Sequence, residues 1–457
     1  MARTRTLALA CTLMASATLM GAEVSFTKDI VPIMKRNCQG CHRPAKMKGD
    51  LDLTSYKTFA KGGKNGVSFK SGDMKSMVLE QVRGDEPKMP PDGDKLKPEE
   101  IALLERWIKE GAKDDTPAVA ARTELAVYKV PPVISAATYS PDGKVIAVSG
   151  YHEVAIHKSD GSELLARLVC DSPRIEGLAY SPDGTMLAAC GGAPGVYGEI
   201  LIWDTATAKL KASYKISPDS LYGISFSPDN TKVAVGGADK TVRLISVADG
   251  KELLKFDNHA DWVFSTTFTK DGKRLLSGSR DKAMKLIDAG NGQLIDDVNK
   301  LLEPILCFAR NPKEDVVAYG GALGVTRIYK MSDNQQRTAA NNDVNMLKAF
   351  ERQPGPIRAI AYSPDGTLVA IGGMFDGVRI FKTADATKAA SIPSVGGATF
   401  SLAFHPDGTQ LLAGGFDGTL RIFEAPSGKL IKSFAPVPLA DDKKAADAGT
   451  PASAKPN

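Results

Sequence analysis

A tetrapeptide resembling Ser-Pro-Asp-Gly returns through the later part of this chain, starting at Ser140, Ser181, Ser227, Thr269, Asn311, Ser363 and His405. Successive copies lie 41, 46, 42, 42, 52 and 42 residues apart. Turn signals at a period of roughly 40–45, with strand-like runs on both sides, mark four-stranded units repeated around a ring. One unit shows the alternation clearly: Leu221 to Phe226, Val233 to Val235, Val242 to Ile245, Leu253 to Phe256. Seven such units predict an all-β, seven-bladed β-propeller over residues 125–435, a closed form without long exposed sheet edges. An all-β sandwich would not keep so regular a period.

The segment ahead of the repeats has a different grammar. It carries Cys38-Gln39-Gly40-Cys41-His42. C-x-x-C-H is the attachment pattern for c-type haem: two thiols spaced to meet the two vinyl groups, then a proximal histidine for the iron. A thiol redox pair would want a βαβ context, which is absent. A zinc site would want a second ligand pair, and no Cys or His lies between His42 and His152. Apolar spacing predicts a helix capped by Thr27 and leading to Cys38, a second over 73–82, and a third from Pro98 to Gly111. The expected fold is a small all-α domain over residues 23–113. Four methionines are candidates for a sixth iron ligand. Met47 is too close in sequence to His42 to reach the opposite haem face. Met74 and Met77 sit on the predicted second helix, where core packing explains them. Met89, in Lys88-Met89-Pro90-Pro91, is held extended by proline and is assigned as the axial partner of His42.

Residues 26–112 resemble the planctomycete-type cytochrome c domain. The resemblance rests on the leading helix and Cys38-Gln39-Gly40-Cys41-His42, then Gly49-Asp50-Leu51-Asp52-Leu53, Ser71-Gly72-Asp73 with Ser76, Met89-Pro90-Pro91 with Leu96, and Trp107-Ile108-Lys109-Glu110-Gly111-Ala112. It implies one covalent haem c attached at Cys38 and Cys41, with His42 and Met89 as axial ligands of the iron. The repeats resemble WD-repeat proteins, most closely at Ser277-Gly278-Ser279-Arg280-Asp281-Lys282 with His259 upstream. Leu201-Ile202-Trp203-Asp204 is the one full Trp-Asp ending; Ile380-Phe381 and Ile422-Phe423 replace it elsewhere. The resemblance implies that Asp239, Asp281, Asp376 and Asp417 are structural turn aspartates. Among the other histidines, His259 and His405 occupy repeat-defined structural positions, and His152 and His157 flank a predicted short strand. No catalytic triad, phosphate loop or paired-carboxylate signature stands out.

The N-terminus reads as a signal peptide over residues 1–22: Arg3 and Arg5, an apolar run, then small residues at Ala15-Ser16-Ala17 and Gly21-Ala22. The expectation is an exported, periplasmic protein with no transmembrane span in the mature chain, reaching a membrane only through a partner. Cys170, Cys190 and Cys307 sit in or beside apolar runs and read as core residues, with a Cys170–Cys190 disulfide as the alternative. The formal net charge of +5 over 457 residues is too dilute for a nucleic-acid partner. A local basic cluster, Lys35, Arg36, Arg43, Lys46 and Lys48, is either a docking patch for an acidic partner or a solvated helix face. Residues 114–124 read as a linker, and 436–457, rich in Ala, Asp, Lys and Pro, as a disordered tail. Residues 191–198 and 331–346 break the period, and loops on a rigid ring are where binding function tends to lie. The reading is an exported electron-transfer protein rather than a catalyst in its own right, its propeller loops binding redox partner proteins. The alternative is a periplasmic oxidoreductase whose propeller holds a second cofactor or substrate and feeds electrons to haem c. A haem sensor would need an open iron position, contrary to the Met89 assignment.

Overall fold

In a computed structural model, the chain divides into two compact units, Met1–Val119 and Ala120–Asn457. The structure describes residues 23–43, 46–91, 94–115, 125–298, 301, 303–331 and 345–440. The expected signal peptide and most of the expected linker lie outside the described residues.

The first unit is a small helical domain. A π-helical turn, Phe26–Ile30, runs into α1, Val31–Asn37, which has proline in its first turn. The cap is Ser25 rather than Thr27: the Ser25 hydroxyl accepts the Lys28 N–H at 2.9 Å. Thr27 instead donates its N–H and hydroxyl to Asp115. Helix α2, Tyr56–Lys61, was not expected; it is a short segment stabilised by a Ser55–Thr58 capping box and by burial of Phe59. Helix α3 spans only Met77–Val82, because Ser76 turns its hydroxyl onto the Asp73 carbonyl at 2.6 Å and so closes a turn ahead of it. Helix α4, Pro98–Lys109, is close to expectation, with Glu99 and Glu100 in its first turn. A two-residue ladder, His42–Arg43 on Lys46–Met47, departs from an all-α unit. The core gathers Phe26, Phe59, Phe69 and Trp107, with Phe59 stacked on Trp107 at 6.0 Å between centroids.

The second unit is a seven-bladed β-propeller. Its seven four-stranded antiparallel sheets cover residues 137–169, 174–217, 221–256, 263–298, 305–349, 357–392 and 399–434. These are blades 1 to 7. Each uses consecutive strands, innermost first. The long second unit is explained by its hairpin, whose strands Met186–Ala193 and Tyr197–Asp204 run eight residues each. Most of the insertion at 331–346 lies outside the described residues.

The repeated tetrapeptide is a turn with one recurring bond pattern. Asp142, Asp183, Asp229, Asp271 and Asp365 each accept the hydroxyl two residues before and the N–H two residues after. The fourth position is left-handed, as at Gly143 (φ 71°), and Asn230 takes the same place at 63°. The expected turn aspartates also accept backbone N–H groups, Asp376 from Val395 and Gly397, for example.

Apolar side chains form one buried cluster at each blade interface, including that between blades 7 and 1. Cys170 lies between blades 1 and 2, and Cys190 between blades 2 and 3. Opposite faces of blade 2 keep them apart, so both are free thiols and the alternative disulfide is not formed. Across the closing interface, the Ser401 hydroxyl bonds both the N–H and the carbonyl of Ala137, at 2.7 and 3.0 Å.

The tail begins later than expected. Residues 436–440 are ordered against blade 1: Leu439 pairs in parallel with Tyr128, and Val437 is buried. His157 bonds the Pro436 carbonyl at 2.7 Å. Residues 441–457 lie outside the described residues.

Candidate functional site

The Cys-x-x-Cys-His segment is wound into a compact turn at the end of α1. Cys38 N–H closes on the Met34 carbonyl, and the Cys41 and His42 N–H groups both close on the Cys38 carbonyl at 3.1 Å. The Gly49–Leu53 stretch holds this turn from the other side. Gln39 donates its side-chain amide to the Leu53 carbonyl at 2.8 Å, and Leu53 N–H donates to the His42 carbonyl at 3.0 Å. Cys38 and Cys41 are half-buried free thiols. Burial, then the nearby Glu100 carboxylate, push the Cys38 thiol up to about 11.

Glu100 ties the site to α4. It accepts Arg36 at 2.8 Å and the Lys97 N–H at 2.9 Å, so one buried carboxylate caps α4 and pins the last turn of α1. This also occupies one member of the basic cluster. Nothing in the sequence marked Glu100 beyond its place in a first turn, since its partner is 64 residues away.

His42 and Met89 meet at two adjoining cavities. One, of about 180 Å³, is lined by Cys38, His42, Leu51, Phe59, Met77 and Met89 among others. The second, of about 170 Å³, shares Cys38, His42, Val82 and Met89 and adds Cys41 and Pro90. Met89 is positioned by its N–H, which donates to the Gln81 carbonyl of α3 at 2.9 Å. Of the other methionines, Met74 packs on the core and Met77 lines the first cavity only. The side chain of Met47 lies outside the described residues. Sequence periodicity put Met74 and Met77 on one helix and could not separate them; the shorter α3 does.

Two residues lining this space carry a polar atom without a partner: His42 Nδ1 and Ser68 Oγ are buried without a hydrogen bond among the described residues. An unbonded buried polar atom costs about 1–3 kcal/mol. Two thiols, one imidazole, one thioether and an apolar lining form a donor set that fits covalent haem c. The zinc reading has no support in the geometry, for no cluster of three His, Cys, Asp or Glu side chains with metal-binding spacing occurs among the described residues.

With this geometry in view, comparison with known proteins is informative. The family described as Planctomycete cytochrome C matches residues 38–93, from Cys38 of the motif past Met89. WD domain, G-beta repeat matches residues 209–246, 250–288 and 395–424. A segment matching the planctomycete cytochrome C family thus precedes repeats matching the WD family. Similar curated proteins include WD repeat-containing protein 91 of Danio rerio, 26% identical over 31% of this chain. Protein groucho of Drosophila melanogaster is 29% identical over 26% of it, and Protein HIR1 of Candida albicans 26% identical over 28%. These matches span only 22%, 16% and 15% of those proteins' own lengths.

In the propeller, His157, His259 and His405 make bonds that tie the fold together. His259 bonds Asp281 through Nδ1 and Ser277 through Nε2, both at 2.8 Å. His405 bonds the Gly143 carbonyl at 2.9 Å across the closing interface. His157 lies within a strand, Glu153–Lys158, rather than beside it; burial lowers its pKa. His152 takes a left-handed turn, its ring edge-on to Tyr151. No helix among the described residues is long and apolar enough to cross a membrane.

Proposed function

We propose that this chain is an exported c-type cytochrome that carries one covalent haem and transfers single electrons, its propeller serving as the scaffold that binds redox partner proteins. The observation that carries the reading is that His42, its Nδ1 buried without a hydrogen bond among the described residues, lines one cavity with Cys38 and Met89. Cys38 and Cys41 would hold the haem, and His42 and Met89 would be the axial ligands. Haem c, when bound, supplies a reversible one-electron couple. The protein's part is to fix the ligands: α1 and the Gly49–Leu53 stretch hold His42, while the Gln81 carbonyl and two prolines hold Met89. A ligand pair held from both sides changes little between redox states. The apolar lining, with Phe59 and Val82, limits water at the site. The signal-like N-terminus supports export, which c-type haem attachment requires.

The propeller supports the scaffold role by its rigidity and its uncommitted surface. Holding a cytochrome beside its partner raises the effective concentration of that encounter. The test is an absorption spectrum with haem quantification on the purified mature protein, followed by denaturing electrophoresis with haem staining. One haem per chain that survives denaturation, with no other chromophore, is the expected result. A second cofactor band would favour the oxidoreductase; absence of bound haem after expression with haem-maturation machinery would overturn the reading.

A further inference from the structure

The propeller's central channel opens, on one face, into a cavity of about 690 Å³ lined from all seven blades. Its charged residues are Arg174 and Glu176 of blade 2 and Arg358 of blade 6. Arg174 Nε pairs with Glu176 at 3.2 Å. Arg358 has no ion pair among the described residues, and its guanidinium stands 6.0 Å from the centre of the Phe264 ring. Burial pushes the Glu176 carboxyl up, while Arg174 and Arg358 draw it down, so both cations act on one point in the mouth. Two guanidiniums against one carboxylate leave a net positive charge at the mouth, beside the Phe264 ring.

The rim around this mouth exposes several apolar side chains among charged turn residues. In several blades the turn between the second and third strands is bonded to the segment entering the innermost strand: Arg280 N–H on Trp262, Met374 on Pro356, Phe416 on Ala398. These turns and the channel mouth therefore share a face. They expose Tyr151, Leu323, Met374 and Phe416, with Trp262 stacked on Tyr222 at the edge. Exposed aromatic and methionine side chains are the composition of an interface centre, and here they alternate with the turn residues Asp376 and Asp417. A small free acid would leave most of this rim uncovered.

We propose that the channel mouth binds an acidic residue carried on an apolar stretch of a partner polypeptide, its carboxylate shared by Arg174 and Arg358. The inference rests on the scaffold reading and names the chemistry of the partner. Glu176 then acts as a built-in competitor for the same two guanidiniums. That gives the proposal opposite signs at neighbouring positions: loss of Arg358 weakens binding, and loss of the Glu176 charge strengthens it.

The experiment is selection from a random dodecapeptide display library on the immobilised full chain, with R358Q and E176Q in parallel. Arg358 and Arg174 are exposed, so unchanged thermal midpoints are expected to confirm folding. The expected result is enrichment of peptides with Asp or Glu between apolar residues. A selected peptide should bind R358Q more weakly, on the order of tenfold, as should its own Glu→Gln or Asp→Asn version. It should bind E176Q more tightly, and added salt should weaken binding to wild type. Enrichment of peptides without acidic residues, or equal binding to R358Q, would overturn the acidic assignment while leaving the face a docking surface. Enrichment of no peptide would overturn the assignment and the scaffold role of this face together. Glutarate alone competing at the peptide's own affinity would overturn the polypeptide partner in favour of a small acid.

Discussion

In the helical unit His42 has a buried Nδ1 with no hydrogen bond, whereas in the propeller His259 is bonded at both ring nitrogens, to Asp281 and Ser277. His405 likewise bridges Gly143 and Asp407. The same side chain thus does two kinds of work. In the propeller both nitrogens of these two rings are engaged, those of His259 within its own blade and those of His405 partly across the closing interface. At the proposed haem site, the His42 backbone is bonded on both sides while its Nδ1 has no hydrogen bond among the described residues. Cysteine divides the same way. Cys38 and Cys41 are half-buried around a cavity, while Cys170 and Cys190 are sealed between blades and Cys307 is buried at the edge of the channel cavity; burial raises the pKa of each of these three thiols.

The contrast breaks most completely at the thiols. C38A/C41A should lose all covalent haem, read as the disappearance of haem staining on a denaturing gel, while C170A and C307A should keep it. A haem-stained C38A/C41A chain would end the attachment claim. Next, M89A should open the iron to carbon monoxide with haem still attached, and M77A should not. Ligand exclusion lost in M77A and kept in M89A would exchange their roles.

A smaller effect is expected where histidine is structural. H259A leaves the buried Asp281 and Ser277 without their partner and should cost about 2 kcal/mol of propeller stability, seen in chemical denaturation, with the haem spectrum unchanged. Acid should act on the same pair. Burial raises the Asp281 pKa, but bonds from His259, Ala260 and Ala283 outweigh it and hold the carboxyl at about 2. Its folded pKa is below the unfolded value of about 3.9, so its contribution is complete above about pH 4 and is lost as pH falls toward 2. H259A should flatten that part of the acid-stability curve; an unchanged slope would show that Asp281 is held by something else. The smallest effect belongs to the ordered tail: V437A removes two buried methyl groups and should cost about 1.5 kcal/mol, with no change if residues 436–440 detach in solution.

The residues legible in sequence were those whose reason is local. The Asp142-type turn is written within five residues, Ser140 to Lys144, and its period follows from repetition of that unit. The spacing of Cys38, Cys41 and His42 is likewise a property of one turn. What the sequence did not show depends on distant segments. Val437 looked like part of a polar tail because its partners, Tyr128 and Ala155, come from the start of the propeller. Arg174 and Arg358 sit in the innermost strands of different repeats, and only ring closure brings them to one cavity. Ser25 displaced Thr27 as helix cap through a contact that neither spacing nor composition distinguishes.

Because no blade borrows a strand from the far end of the propeller, blades 7 and 1 meet at a seam between two whole sheets. The Tyr128–Leu439 pairing spans the two ends of the ring beside that seam, with Ala440 N–H on the Tyr128 carbonyl at 2.8 Å. It is parallel, so tension applied outward at both ends loads it in shear, its bonds stressed together rather than peeled singly. The two ends of the ring are therefore joined to each other beside the seam as well as through it.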